Sequence, residues 1–153
     1  MDMNLVVVFL PIIFSLVISK MYPMDTSWYN TLDKSPYTPK DWIFGAVWPI
    51  LYILIGISLT GPNNDWLLLN LMLNYLWIIL FNGYKNIKAG FWILMVMCMS
   101  LILYFGQSGN YLLLSYLVWL LYALYLNYYL MTNNPKSNIG IEQEMDIEYV
   151  FVE

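Results

Sequence analysis

Five apolar runs, joined mostly by spacers too short for anything but turns, constrain this chain more than any other feature. They cover about 3–19, 41–60, 66–84, 87–105 and 111–131. A transmembrane helix needs about 20 mostly apolar residues. The pattern therefore predicts an all-α membrane protein: a five-transmembrane-helix bundle over 1–131, followed by a polar, acidic tail over 132–153. Composition agrees, because 61% of the 153 residues are hydrophobic and only 10% are charged. A soluble domain keeps about a quarter of its residues charged, so this chain has too little polar surface to face water all round. The first run starts Met1-Asp2-Met3-Asn4, without the positive segment of a secretory signal, and Ile18-Ser19-Lys20-Met21-Tyr22 is a poor cleavage site. It reads as a retained helix, and Pro11 inside it is tolerable in a membrane bundle.

One spacer is long. Residues 20–40 carry Pro23, Pro36, Pro39 and five charges, which exclude them from lipid. A connection of this length in a compact protein is commonly a lid or a disordered link. Its aromatics, Tyr22, Trp28, Tyr29 and Tyr37, favour a packed lid with Trp28 and Tyr29 as anchors, although Trp and Tyr also mark lipid interfaces. Asp25 or Thr26 is placed to cap a short helix there, and Asp41 to cap the second span.

The residues that are missing narrow the chemistry. There is no His and no Arg. No imidazole can act as general base, zinc ligand or proximal haem ligand, and no guanidinium can clamp an anion two ways. Cys98 is alone, so there is no internal disulfide. The formal charge of −4 comes mostly from Glu142, Glu144, Asp146, Glu148 and Glu153, and nothing resembles a nucleic-acid footprint. No ionisable residue lies deep in a predicted span, which argues against ion-coupled transport.

Within the spans, Gly45, Trp48, Tyr52 and Gly56 fall on one helical stripe. By spacing alone this reads as a tightly packed helix interface. Asn74, Trp77, Ile78 and Phe81 share a face, with Asn70 and Asn82 at other heights. An amide in lipid demands a partner, so the first expectation for Asn74 is an interhelical hydrogen bond. Met95, Met97, Cys98 and Met99 read as gap-filling sulfur rather than a metal site. The last span has a stripe of Ser115, Trp119, Tyr122, Ala123 and Leu126, with Asn127 at its edge. It also has enough tyrosines that several are expected to face the bundle or the interface. In the tail, Asp146-Ile147-Glu148 has the form of a diacidic export signal, a solvated tail being the plainer reading, and Tyr149–Val152 could dock. All six lysines fall on one side of a five-span topology, and the positive-inside rule puts that side, with the 20–40 loop and the C-terminus, in the cytoplasm and the N-terminus opposite.

These residues carry a resemblance. Trp28-Tyr29, Leu32, Lys34, Pro39, Gly45, Trp48 and Leu51-Tyr52 match the spacing of the translocator protein family, also called tryptophan-rich sensory proteins or peripheral benzodiazepine receptors. Leu73-Asn74-Tyr75-Leu76-Trp77, Tyr116-Leu117-Val118-Trp119 and Leu126-Asn127-Tyr128 extend the likeness to about Met131. The chain departs from the pattern at Ser35 and Lys40, where the family has prolines, and at Met95, where many members have an aspartate. After Tyr128-Tyr129 it lacks the Lys or Arg that ends the cholesterol-recognition pattern, since Lys136 comes too late. That weighs against steroid handling more than against tetrapyrrole binding.

The resemblance implies a five-helix bundle, commonly a homodimer, with a pocket under the first loop. The implied ligands are porphyrins and haem-related tetrapyrroles, sterols in animals, and synthetic benzodiazepine or isoquinoline drugs. It carries over Tyr29, Pro39, Trp48, Tyr52, Asn74, Phe81, Trp119 and Ala123 as pocket residues, and Ser19 as a further candidate. Three functions stay open: a membrane receptor or sensor for tetrapyrroles that supports their transport or disposal; an enzyme that degrades porphyrin with light and oxygen through Trp48 and Trp119; and a non-catalytic scaffold whose pocket holds lipid or sterol. No cofactor is obligatory under any of them, with porphyrin or haem entering as ligand. Any movement of ligand would be passive or partner-assisted. Photo-oxidation is compatible with the composition, because an excited porphyrin can oxidise an indole without a protein base.

Overall fold

The computed structural model describes residues 5–138. The expectations for Met1–Asn4 and for 139–153, including Asp146–Glu148 and Tyr149–Val152, lie outside the described residues. Within them the order is α1 (Leu5–Met21), α2 (Thr26–Thr31), α3 (Asp41–Leu59), α4 (Asp65–Ile78), a π-helical turn (Ile79–Gly83), α5 (Ile87–Ser108), α6 (Leu114–Asn133) and a 3-10 turn (Pro135–Asn138). Four stretches are long and apolar enough to cross a membrane: Asp41–Leu59, Asp65–Gly83, Ile87–Ser108 and Leu114–Asn133. α1, at 17 residues, is a shorter apolar helix.

The polarity of the bundle is that of a membrane protein. Val6, Met72 and Val118 are 68%, 69% and 67% exposed, whereas Asn70, Asn74 and Asn127 are at most 3% exposed. Apolar side chains on the outside suit acyl chains, and buried amides need internal partners. The Tyr52 hydroxyl donates to Asn74 Oδ1 at 2.6 Å, and Asn74 Nδ2 reaches the Tyr116 hydroxyl at 3.5 Å. Tyr116 donates to Asn70 Oδ1 at 2.8 Å. Asn70 Nδ2 donates to the Met97 carbonyl at 2.7 Å and to Ser100 Oγ at 3.0 Å. This ladder ties α3, α4, α5 and α6 together through side chains, and the interhelical bond expected of Asn74 is part of it. Lipid gives helices no hydrophobic reason to associate, so such bonds, at about 0.6 kcal/mol each, add to close packing.

α5 packs between α4 and α6, and α1 packs mainly on α3. The α1–α3 contact is backbone to backbone: a Cβ on Gly56 would stand 2.0 Å from the Val8 carbonyl oxygen. Pro11 is buried within α1, and its carbonyl accepts from the Tyr75 hydroxyl at 2.8 Å.

Several element ends differ from the sequence reading, each for a local reason. Asp25 does cap α2, accepting from the Trp28 N–H at 3.0 Å. Asp41 does not cap α3. Lys40 holds the cap position without a side-chain bond, and Asp41 is the first helical residue, where its charge still suits the positive end of the helix. α5 runs past Phe105 and Gly106 to Ser108, because the residue that takes the left-handed conformation is Gly109, at φ +64°. α6 starts at Leu114 rather than Tyr111, since Asn110 Oδ1 accepts from the Leu112 N–H at 3.0 Å and holds that stretch in a turn. The third span is not regular throughout. Over Ile79–Gly83 it widens, and the Tyr84 N–H reaches back five residues to the Ile79 carbonyl at 3.1 Å.

The 22–40 connection lies over one end of the bundle. The Asp33 N–H donates to Asn134 Oδ1 at 2.8 Å, and Asn134 Nδ2 donates to the Asp33 carbonyl at 3.0 Å. Ser35 Oγ and the Tyr125 hydroxyl are 3.0 Å apart, and Tyr122 donates to the Tyr37 carbonyl. Ser35, one of the departures from the family pattern, is buried and also accepts from the Tyr37 N–H at 3.2 Å. Lys85 pairs with Asp25 at 2.7 Å. That ammonium, and after it the Trp28 N–H, hold the Asp25 carboxyl below its usual range. The connection, the turn before α5 and the C-terminal end of α6 are therefore all at one end.

Candidate functional site

Under this cover is a cavity of about 610 Å³. Small-molecule sites typically fall between about 300 and 1,000 Å³. Its wall comes from every long helix and from the connection. α1 supplies Ile12, Ser15, Leu16 and Ser19; the connection supplies Met24, Thr26, Tyr29 and Asn30; α3 supplies Asp41, Phe44, Gly45, Trp48, Pro49 and Tyr52. α4 and its π turn supply Asn74, Trp77, Ile78, Phe81 and Asn82; α5 supplies Leu94 and Met97; α6 supplies Trp119, Ala123, Leu126, Asn127 and Leu130.

Of the residues singled out from sequence, Ser19, Tyr29, Trp48, Tyr52, Asn74, Phe81, Trp119 and Ala123 stand on this wall. Pro39 does not. It sits one residue before the Lys40 cap of α3, where it fixes the entry to that helix instead. The stripe Gly45, Trp48, Tyr52, Gly56 is divided between two roles. Gly45 and Trp48 line the cavity, Tyr52 lines it while also packed in the core against α4, and Gly56 packs on α1, so the packed-interface reading holds for the second half of the stripe.

The rings form two groups. Trp48 stacks on Tyr52 at 5.5 Å between centroids and meets Trp119 edge to face at 6.5 Å. Phe44 packs edge-on to Trp119 at 5.7 Å, joining α3 to α6 through aromatic side chains. Nearer the cover, Trp77 stacks on Phe81 at 4.7 Å, and Trp28 caps Phe81 edge-on at 5.7 Å. Trp28 thus anchors the cover from above while Tyr29 lines the cavity itself. Burial, and then the negative charge of Asp41, raise the Tyr29 phenol above its ordinary value, so it stays a neutral donor. Lys34 lies 4.5 Å over the Tyr29 ring and donates to its carbonyl at 3.0 Å.

Several polar atoms on this wall are buried without a partner: Trp77 Nε1, Asn82 Oδ1, Trp119 Nε1 and both amide atoms of Asn127. Buried polar groups are nearly always paired, so each of these asks for an explanation. Trp77, Asn82, Asn127 and Phe44 are not among the site residues that the sequence leads one to expect. Trp77 shares a helical face with Asn74 and Phe81, and that spacing was the signal available for it. Asn82 is brought to the wall by the π turn, which no spacing rule anticipates. Phe44 has no comparable signal.

Fold and site together define a helical, multi-pass membrane protein with an aromatic-walled cavity beneath a polar cover. The chain matches the TspO/MBR family over residues 5–132, and it belongs to that family. Among curated relatives, it is 37% identical over 117 residues to the tryptophan-rich protein TspO of Archaeoglobus fulgidus, covering 67% of this chain and 76% of the relative. It is 33% identical over 136 residues to the protein of the same name from Chlorobaculum tepidum, covering 76% and 86%. It is also 26% identical over 127 residues to protein CrtK of Rhodobacter capsulatus, covering 71% and 79%.

Proposed function

We propose that this five-span protein is a membrane receptor for tetrapyrroles or similar flat, apolar molecules and supports their transport or disposal. The observation that carries the reading is the cavity wall. Trp48, Tyr52 and Trp119 from two helices, with Trp77 and Phe81 from a third, enclose one hollow. A macrocycle bound there stacks on rings, and a good aromatic pair adds about 0.5–1.5 kcal/mol beyond burial. Unpaired indole N–H groups at Trp77 and Trp119 supply donors for its polar edge.

Titrating the purified protein with protoporphyrin is expected to quench its tryptophan fluorescence at micromolar ligand. The double variant Trp48→Leu/Trp119→Leu, which removes both rings, should bind about tenfold more weakly, the loss expected from two good aromatic pairs. Unquenched emission at saturating porphyrin would leave the lipid-filled scaffold as the better reading. The edge-to-face Trp48–Trp119 pair also favours a second reading, porphyrin photo-oxidation with those indoles as an electron relay. The excited macrocycle takes an electron from an indole and passes it to oxygen, the indole radical takes one back from the macrocycle, and the macrocycle radical combines with the superoxide. Illumination with oxygen should then consume porphyrin in the wild type and spare it in Trp48→Phe/Trp119→Phe, which keeps the rings but has no indole to oxidise.

We also place the covered end of the bundle in the cytoplasm, supported by the lysines gathered there. The native thiol, Cys98, is buried. A cysteine introduced at Lys88 should therefore be labelled by an impermeant maleimide from the cytoplasmic face alone. Labelling from the opposite face alone would reverse the topology.

A further inference from the structure

The part of the wall farthest from explanation is the corner between α4, α5 and α6. Asn127 is 2% exposed, and neither atom of its amide has a partner. Trp77 Nε1 is likewise buried and unpaired. Asn127 Nδ2 and Trp77 Nε1 each lie 3.1 Å from the point where a Cβ on Gly90 would stand. The missing side chain of Gly90 leaves room for the two groups to converge. A primary amide left unpaired in a low-dielectric interior costs about 1–3 kcal/mol. Trp77 and Asn127 both line the cavity, and their unpaired atoms are packed about Gly90 just behind that wall, so a single group that enters this corner from the cavity can satisfy them.

The chemistry of that group follows from what the corner offers. Asn127 presents a donor and an acceptor side by side, and Trp77 adds a second donor. The complement is a planar group with an acceptor and an adjacent N–H, as in a lactam or secondary cis-amide. A carboxylate fits poorly, because it has acceptors only and would set an oxygen against Asn127 Oδ1. It also needs a cation when buried, and the charged residue on the cavity wall is Asp41. We propose that Asn127, with the Trp77 N–H beside it, is the polar anchor of the cavity, and that it selects flat apolar ligands with a neutral lactam or amide edge. This rests on the ligand-binding reading of the cavity. Carboxylates on such a ligand would point towards the cover and water.

A matched set of probes tests it: phenanthridinone, its N-methyl derivative and phenanthrene carboxylate, each titrated into the full-length protein in detergent and read by tryptophan quenching. The wild type should bind the lactam about tenfold more tightly than the N-methyl compound, as expected for loss of a paired donor and the buried, unpaired Asn127 oxygen it leaves behind. The carboxylate should be weaker still. Asn127→Leu should bring lactam and N-methyl compound to within about twofold, and Trp77→Phe, which keeps the ring stacked on Phe81, should narrow the gap in part. The wild-type comparison needs no variant to fold. Equal binding of lactam and N-methyl compound, or a carboxylate that binds as tightly as the lactam, overturns the anchor while leaving the cavity as a ligand site. Failure of all three probes and of protoporphyrin to bind removes the cavity reading, and the anchor falls with it.

Discussion

Gly56→Ala is expected to push α1 and α3 apart and to destabilise the bundle by about 2–3 kcal/mol, at the upper end of the range for overpacked sites. The added Cβ would stand 2.0 Å from the Val8 carbonyl oxygen, 2.6 Å from its carbon and 2.7 Å from the Val8 Cα. All three are backbone atoms, so no rotamer change relieves the overlap and one helix must move. α1 also carries Ile12, Ser15, Leu16 and Ser19 of the cavity wall, so ligand affinity should fall along with stability. Gly106→Ala is the control. It lies within α5 with nothing within 4 Å of its would-be Cβ, and removing a helical glycine there should be neutral or stabilising by up to about 1 kcal/mol. Thermal unfolding in detergent compares the two, and equal behaviour would disprove the close approach.

The second large effect separates binding from folding. Ala123→Phe places a benzyl group in the hollow beside Trp119 and opposite α3, in space the ligand needs. Protoporphyrin affinity should drop by more than about tenfold, since the bulk displaces ligand from the stacking surfaces. Stability should change little, because the new ring enters a cavity rather than a filled core. A folded Ala123→Phe protein with unaltered affinity would move the ligand to another place on the molecule.

Much of the architecture follows directly from residue order. Long apolar runs can satisfy their backbone in lipid only as helices, so the number and rough limits of the elements were legible. Asp25, set just before Trp28 and Tyr29, revealed the short helix in the connection. The places where reading stopped are those that depend on three-dimensional closure. Gly106 and Gly109 look alike on paper, and only Gly109 adopts the left-handed conformation that ends α5. Phe81 and Asn82 sit in a widened turn that changes which way their side chains leave the helix. The stripe from Gly45 to Gly56 correctly marks one face of α3, but spacing does not say that this face meets a hollow at one end and another backbone at the other. Asn127 stood at the edge of its helical stripe on paper. Its importance depends on the lack of a partner, a property that exists only after neighbouring helices are in place.

The fastening of the cover has a bearing on how anything gets in. Ser35, Asp33 and Tyr37 are bonded to Tyr125, Asn134 and Tyr122, all on or just past the helix that carries Trp119 and Asn127, while Asp25 is tied to Lys85 on another side. Ties on two sides oppose lifting this roof about either edge. Raising it gives up all of these ties together, at about 1 kcal/mol for each hydrogen bond. Between Phe44 and Trp119 only rings touch, beside Gly45 with open space around it. A guest dissolved in the bilayer that slips through this seam turns side chains aside and breaks none of the roof's bonds.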